Sequence, residues 1–113
     1  MAMTRVILEL GSGNDLHGSD YTKAALRAVQ DALHHSSLSF IRSLKIDKSK
    51  LEVEVTVGVQ RPEQVDIEAV KNSLPIGTVT VRAVKGGLDV VDPDNNDASV
   101  IASAAIAVRI EVV

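Results

Sequence analysis

Asp15 and His17 stand two residues apart in the stretch Gly11-Ser12-Gly13-Asn14-Asp15-Leu16-His17-Gly18, a carboxylate and an imidazole framed by three glycines. An imidazole titrates near neutral pH, and a neighbouring carboxylate can orient its ring or share a cation with it, so the pair suits proton transfer. The glycines predict a turn, and a turn carrying polar groups lies at the surface, where its backbone finds partners. A glycine-rich turn that opens a helix also presents backbone N–H groups to an anion or a carbonyl oxygen. Asp15 and His17 are therefore the expected catalytic pair, with Gly11, Gly13 and Gly18 as the expected ligand cradle. Lys85-Gly86-Gly87 sets a cation beside a second glycine turn and is expected to line the same cleft from a neighbouring copy. The same motif also suits a purely structural turn, with Asp15 capping its own backbone and His17 bonding a carbonyl.

Several familiar chemistries fail on spacing. A dinucleotide loop needs a third glycine where Leu16 stands, and no glycine here precedes Lys-Ser or Lys-Thr as in a nucleotide-triphosphate loop. The run from Asp92 to Asp97 opens like a calcium loop, but that loop's sixth and twelfth positions hold Asp97 and Ser103 instead of Gly and Glu. Two ligands are too few for zinc, and His34-His35 fall about 25 Å away along the expected helix. No metal and no cofactor is assigned.

The totals narrow the class. One domain, 1–113, accommodates all 113 residues. With 45% hydrophobic residues but one Tyr, one Phe and no Trp, the core must be aliphatic. A net charge of −3 and few aromatics argue against nucleic acid, which needs clustered cations or stacking platforms. The absence of cysteine excludes disulfides and a thiol nucleophile. No run is long and apolar enough to span a membrane, and the N-terminus shows no signal-peptide pattern, so a cytoplasmic protein is expected. A core this small invites burial against further copies, and a homo-oligomer is expected, with a trimer as the leading form.

The elements that must position the pair follow from periodicity. Thr4–Leu10 reads as a strand ending at Gly11. Ser19 or Asp20 caps a helix that runs to about Ser36, with Ala25, Val29, Ala32 and Leu33 on its inner face. Leu38, Phe40, Ile41 and Leu44 are expected to pin the next connection to the core. Leu51–Val59 alternates strictly, which predicts a strand with one buried face. Pro62 starts a second, shorter helix that Pro75 and Gly77 stop. Thr78–Val84 is a third strand, Leu88–Val91 a short return strand after Gly86-Gly87, and Val100–Val113 a central strand. The result is an α+β domain in the order β-α-β-α-β-β: a mixed four-stranded sheet with two helices packed on one face.

This element order resembles the fold of the Bacillus-type chorismate mutases and the small YjgF-like proteins. That resemblance implies a mixed sheet, ring-like trimers and clefts between subunits, and says nothing of activity. The motif Gly11-x-Gly13-x-Asp15-x-His17-Gly18, the helix Thr22–Val29, Leu74-Pro75-x-Gly77 and Gly86-Gly87-Leu88 together resemble a small family of bacterial and plant proteins marked by an N-terminal G-x-G-x-D-x-H-G signature. That resemblance implies a functional site at Asp15 and His17. The expected function is small-molecule binding with enzymatic chemistry on an anionic or carbonyl-containing metabolite. The alternative is an oligomeric scaffold or regulatory module in which the loop is structural.

Overall fold

Strict alternation of Val with polar residues builds the centre of the fold. The computed structural model describes residues 2–34, 47, 50–74 and 77–112. Its elements are β1 (Ala2–Asp15), α1 (Tyr21–His34), β2 (Glu52–Val59), a 3-10 turn (Pro62–Gln64), α2 (Ile67–Asn72), β3 (Thr78–Lys85), β4 (Leu88–Asp92) and β5 (Asp97–Val112). The class is α+β as expected, but the sheet has five strands instead of four. The fifth is the return strand β4, which pairs β5 from Leu88↔Ile101 to Asp92↔Asp97. The residues from Leu38 to Leu44 and Pro75 lie outside the described residues.

The strand order is β1-β5-β2-β3, with β4 also on β5. β5 runs antiparallel to β1, β2 and β4, whereas β2 and β3 are parallel. β5 spans 16 residues, so one of its edges is shared by β2 below and β4 above. The chain changes place from β3 to β4 by crossing at Gly86 and Gly87. Gly86 N–H donates to Val59 O at 2.9 Å. A Cβ on Gly87, at φ +64°, would stand 2.1 Å from Ile101 O. Only glycine fits a backbone approach that close.

Both helices cover one face. Ala24, Ala25, Ala28, Val29 and Ala32 of α1 are buried against Ala102, Ala104, Ile106 and Val108 of β5 and Val53, Val55 and Val57 of β2. The core is aliphatic apart from Tyr21. The second helix forms differently from expectation. Pro62 opens only a 3-10 turn, the chain extends at Val65, and Asp66 restarts it as α2 by accepting from Ala69 N–H at 3.1 Å. No helix of the described residues is long and apolar enough to cross a membrane.

Candidate functional site

The glycine motif forms a turn only at its end, over Leu16, His17 and Gly18. β1 runs through it to Asp15, pairing Gly11↔Ala104, Gly13↔Ala102 and Asp15↔Val100 with β5. Gly11 and Gly13 face α1, where a Cβ on Gly11 would lie 2.4 Å from Ala28 O, and one on Gly13 would lie 2.3 Å from Ala28 N. The strand and helix touch backbone to backbone along an alanine stripe, Ala24, Ala28 and Ala32. The expected cradle of Gly11 and Gly13 is thus corrected: their N–H groups belong to a β ladder and their open side is filled by α1. The missing side chains are what let the helix dock.

Asp15 and His17 turn to different partners. Asp15 is buried and turned back toward the start of α1. Its carboxylate accepts from Asp20 N–H at 3.3 Å and lies 3.6 Å from Lys23 Nζ. Gly18 leaves it room, because a Cβ there would meet Asp15 Oδ2 at 2.6 Å. Asp20 in turn caps α1, accepting from Lys23 N–H at 3.0 Å. Asp15 and Gly18 therefore tie the loop to the helix, which is positioning work. Two α1 side chains extend the same fastening over the edge of β1. Asp31 accepts from Ser12 N–H at 2.9 Å, and Arg27 donates to Asn14 O at 2.7 Å.

His17 finds a different carboxylate. Its Nδ1 lies 3.1 Å from Oδ2 of Asp97, the first residue of β5. The His17 side chain is 86% exposed and that of Asp97 33%, so the dyad is open to solvent and to ligand. The hydrogen bond with His17, followed by the Ala98 N–H at 2.8 Å, holds the Asp97 carboxyl below the usual carboxylate range. A cleft of about 450 Å³ opens beside the dyad, between Gly18-Ser19 and the β4–β5 turn, and Asp97, Asp92 and Asn96 line it. Such a volume suits a small metabolite. Asp92 has little to give a ligand, since its oxygens already accept from Asp94 N–H, Asn95 N–H and Asn95 Nδ2.

A second polar pair lies beneath this cleft, on the helix face of the sheet. Asp89 and Asp15 flank Val100 on opposite sides in the ladder. The Tyr21 hydroxyl donates to Asp89 Oδ2 at 2.5 Å, while Asp89 Oδ1 is buried without a hydrogen-bond partner in the structure. Burial first, then the bond to Asp89, raises the Tyr21 phenol above its usual pKa. Lys85, Gly86 and Gly87 are not part of the cleft within one chain. Lys85 is exposed at the end of β3, and Gln60 Nε2 donates to the Gly86 and Gly87 carbonyls at 3.0 and 3.2 Å. A groove of about 470 Å³ along the outer side of α1, from Asp20 to His34, is separate from the dyad. Among the described residues, no three His, Asp or Glu side chains gather as a metal-binding group.

Asp97, the partner of His17, is the residue that sequence reasoning missed, considered there only as part of a failed calcium loop. Its signal is the hairpin: once β4 and β5 pair, the turn's acidic residues are carried to the end of the sheet where β1 also ends.

A family model described as a conserved hypothetical protein, the Lin0512 family, matches residues 5–108. The crystal structure of an FtsZ-like protein of unknown function from Nostoc punctiforme is 38% identical in sequence. It superposes with a TM-score of 0.85, covering 99% of this chain and 99% of that one. No curated protein matches the chain.

Proposed function

The chain belongs to the Lin0512 family of conserved hypothetical proteins, and from that premise we propose that it binds a small carbonyl-containing molecule in the cleft beside His17, with the His17–Asp97 dyad as its proton-transfer group. The observation that carries this reading is the 3.1 Å imidazole–carboxylate contact at the edge of a cleft of about 450 Å³. Asp97 on Nδ1 orients the ring and leaves Nε2 as the atom that meets a ligand. A neutral Nε2 takes a proton from a carbon or hydroxyl beside the carbonyl, and the resulting imidazolium is stabilised by Asp97. Asp15 takes no part in that step, being engaged with Asp20 and Lys23. Asp92, Asp94 and Asp97 make this end of the molecule acidic, which disfavours phosphate and favours an uncharged carbonyl compound over an anion.

The test is an NMR titration of the folded protein with a panel of small aldehydes, ketones, esters and amides, with inorganic phosphate alongside. A carbonyl compound is expected to move the Gly18, His17 and Ala98 resonances in a saturable way, and His17→Ala to abolish the effect without altering the rest of the spectrum. A panel that moves none of these signals, or shifts that survive in His17→Ala, would overturn the reading.

An assembling scaffold is the second reading. The observation that favours it is the run of exposed apolar side chains on the sheet face turned away from the helices, among them Leu8, Leu10, Leu88 and Val90.

A further inference from the structure

We propose that the sheet face opposite the helices docks against the same face of a second copy of this chain. Residues paired across the ladders share a face, so this surface can be read from the register. One row is Leu8–Ala107–Glu54–Thr80, and the next is Leu10–Ala105–Thr56–Arg82. Higher up, Ser103 and then Ile101 continue β5 beside Val84 and Leu88. Apart from the crossing at Gly86 over Gly58, no described element covers this face.

Three observations select a second copy as the occupant. The first is the apolar load: of the eight large hydrophobic residues exposed among the described ones, Leu8, Leu10, Val84, Leu88 and Val90 lie on this face. Leu10 is 64% exposed and Leu88 55%, whereas Val53, Val55, Val57, Ala102, Ala104, Ile106 and Val108 on the helix side of the same sheet are buried. Clustering of that kind marks an interaction surface, whereas scattered exposed leucines do not.

The second is shape. Leu8 and Leu10 form a ridge on β1, directly beside a trough of Ala107, Ala105 and Ser103 on β5. A two-fold rotation sets the ridge of each copy into the trough of the other, which is the condition an isologous interface must meet. Small residues in the trough allow the two sheets to approach closely.

The third is charge. The lower part of the face carries Arg5, Arg82 and Arg109 against Glu52, Glu54 and Glu111, and the Arg109–Glu54 pair is already closed at 2.9 Å. These six charges cancel, and the acidic pair Asp92 and Asp97 sits apart at the top of the face, so the lower part of a second copy meets no net repulsion there. Four strands about 4.8 Å apart, over ten residues of about 3.3 Å each, project on the order of 600 Å². With side-chain relief and the β4 extension added, that approaches the about 800 Å² per partner of an ordinary stable interface.

The test is sedimentation equilibrium on the full chain, comparing the native protein with Leu10→Asp and with Val91→Asp, an exposed strand residue on the opposite face, as a control. The native protein is expected at twice the 12.0 kDa of one chain. Leu10→Asp is expected to weaken association more than about 30-fold while keeping the native circular dichroism spectrum, and Val91→Asp to leave it unchanged. Leu10→Ala serves if the aspartate variant fails to fold, with a smaller weakening in the same direction. A native protein that stays monomeric overturns the proposal, and if it then binds a hydrophobic dye through Leu10 the face belongs to a different partner. An assembly that survives the Leu10 substitution in a folded protein also overturns it.

Discussion

Gly13 and Ala28 meet backbone to backbone: a Cβ on Gly13 would sit 2.3 Å from the Ala28 amide nitrogen. The obstruction is main chain on both sides, so no rotamer change relieves it. Gly13→Ala is expected to push α1 off β1 and to destabilise the fold by about 1–3 kcal/mol. Urea unfolding measures the loss. An unchanged midpoint would show that helix and strand do not pack as closely as described.

Asp15→Asn separates positioning from chemistry. The carboxylate holds Asp20 N–H and faces Lys23 from a nearly buried place. Removing its charge is expected to cost about 1–3 kcal/mol of stability while ligand affinity at His17 stays within a few fold. Thermal unfolding and the carbonyl titration, run on one sample, distinguish the two effects.

The Tyr21–Asp89 bond links stability to alkaline pH. The phenol pKa is raised in the folded protein, so the native state holds this proton more tightly than the unfolded chain. That contribution is fully present below pH 10 and is lost as pH rises through the raised folded value. Tyr21→Phe is expected to remove this alkaline loss, and at neutral pH to cost about 1–3 kcal/mol by leaving Asp89 without its donor. Urea unfolding between pH 7 and 11 reads both.

On the acid side the group to watch is Asp97. Its folded pKa lies below the usual aspartate value, first through the bond with His17 and then through Ala98 N–H. The stability it contributes is present above the unfolded value and is lost as pH falls through the folded one. His17→Ala is expected to move the Asp97 carboxyl titration upward toward the usual range, followed by carboxyl carbon NMR.

Much of the architecture was legible because it rests on local periodicity. The alternation of Leu51–Val59 and of Val100–Val113 marks the two central strands, and Ala25, Val29 and Ala32 mark the inner face of α1. Helices on one face of a mixed sheet follow from that pattern. What stayed hidden rests on partners distant in sequence. Gly11 and Gly13 look like turn formers in isolation, and only α1 lying across them makes them strand residues. His17 and Asp97 are 80 residues apart, so no spacing rule could join them. Asp15, two residues from His17, was the nearer carboxylate in sequence, but β1 ends at Asp15 and the turn at Leu16 and His17 carries the imidazole to another partner.

The placement of β5 also dictates the order of events on the ribosome. It is the shared partner of β1, β2 and β4, yet it is synthesised after all of them. Until its 16 residues emerge, β1 has no neighbour in the sheet, and the alanine stripe of α1 has only an unpaired strand to rest on. Among the described strands, the parallel pair β2–β3 is the one pairing that can form beforehand. Folding therefore waits on contacts that span nearly the whole chain, a topology that slows the search and leaves sticky strand edges exposed to chaperones meanwhile.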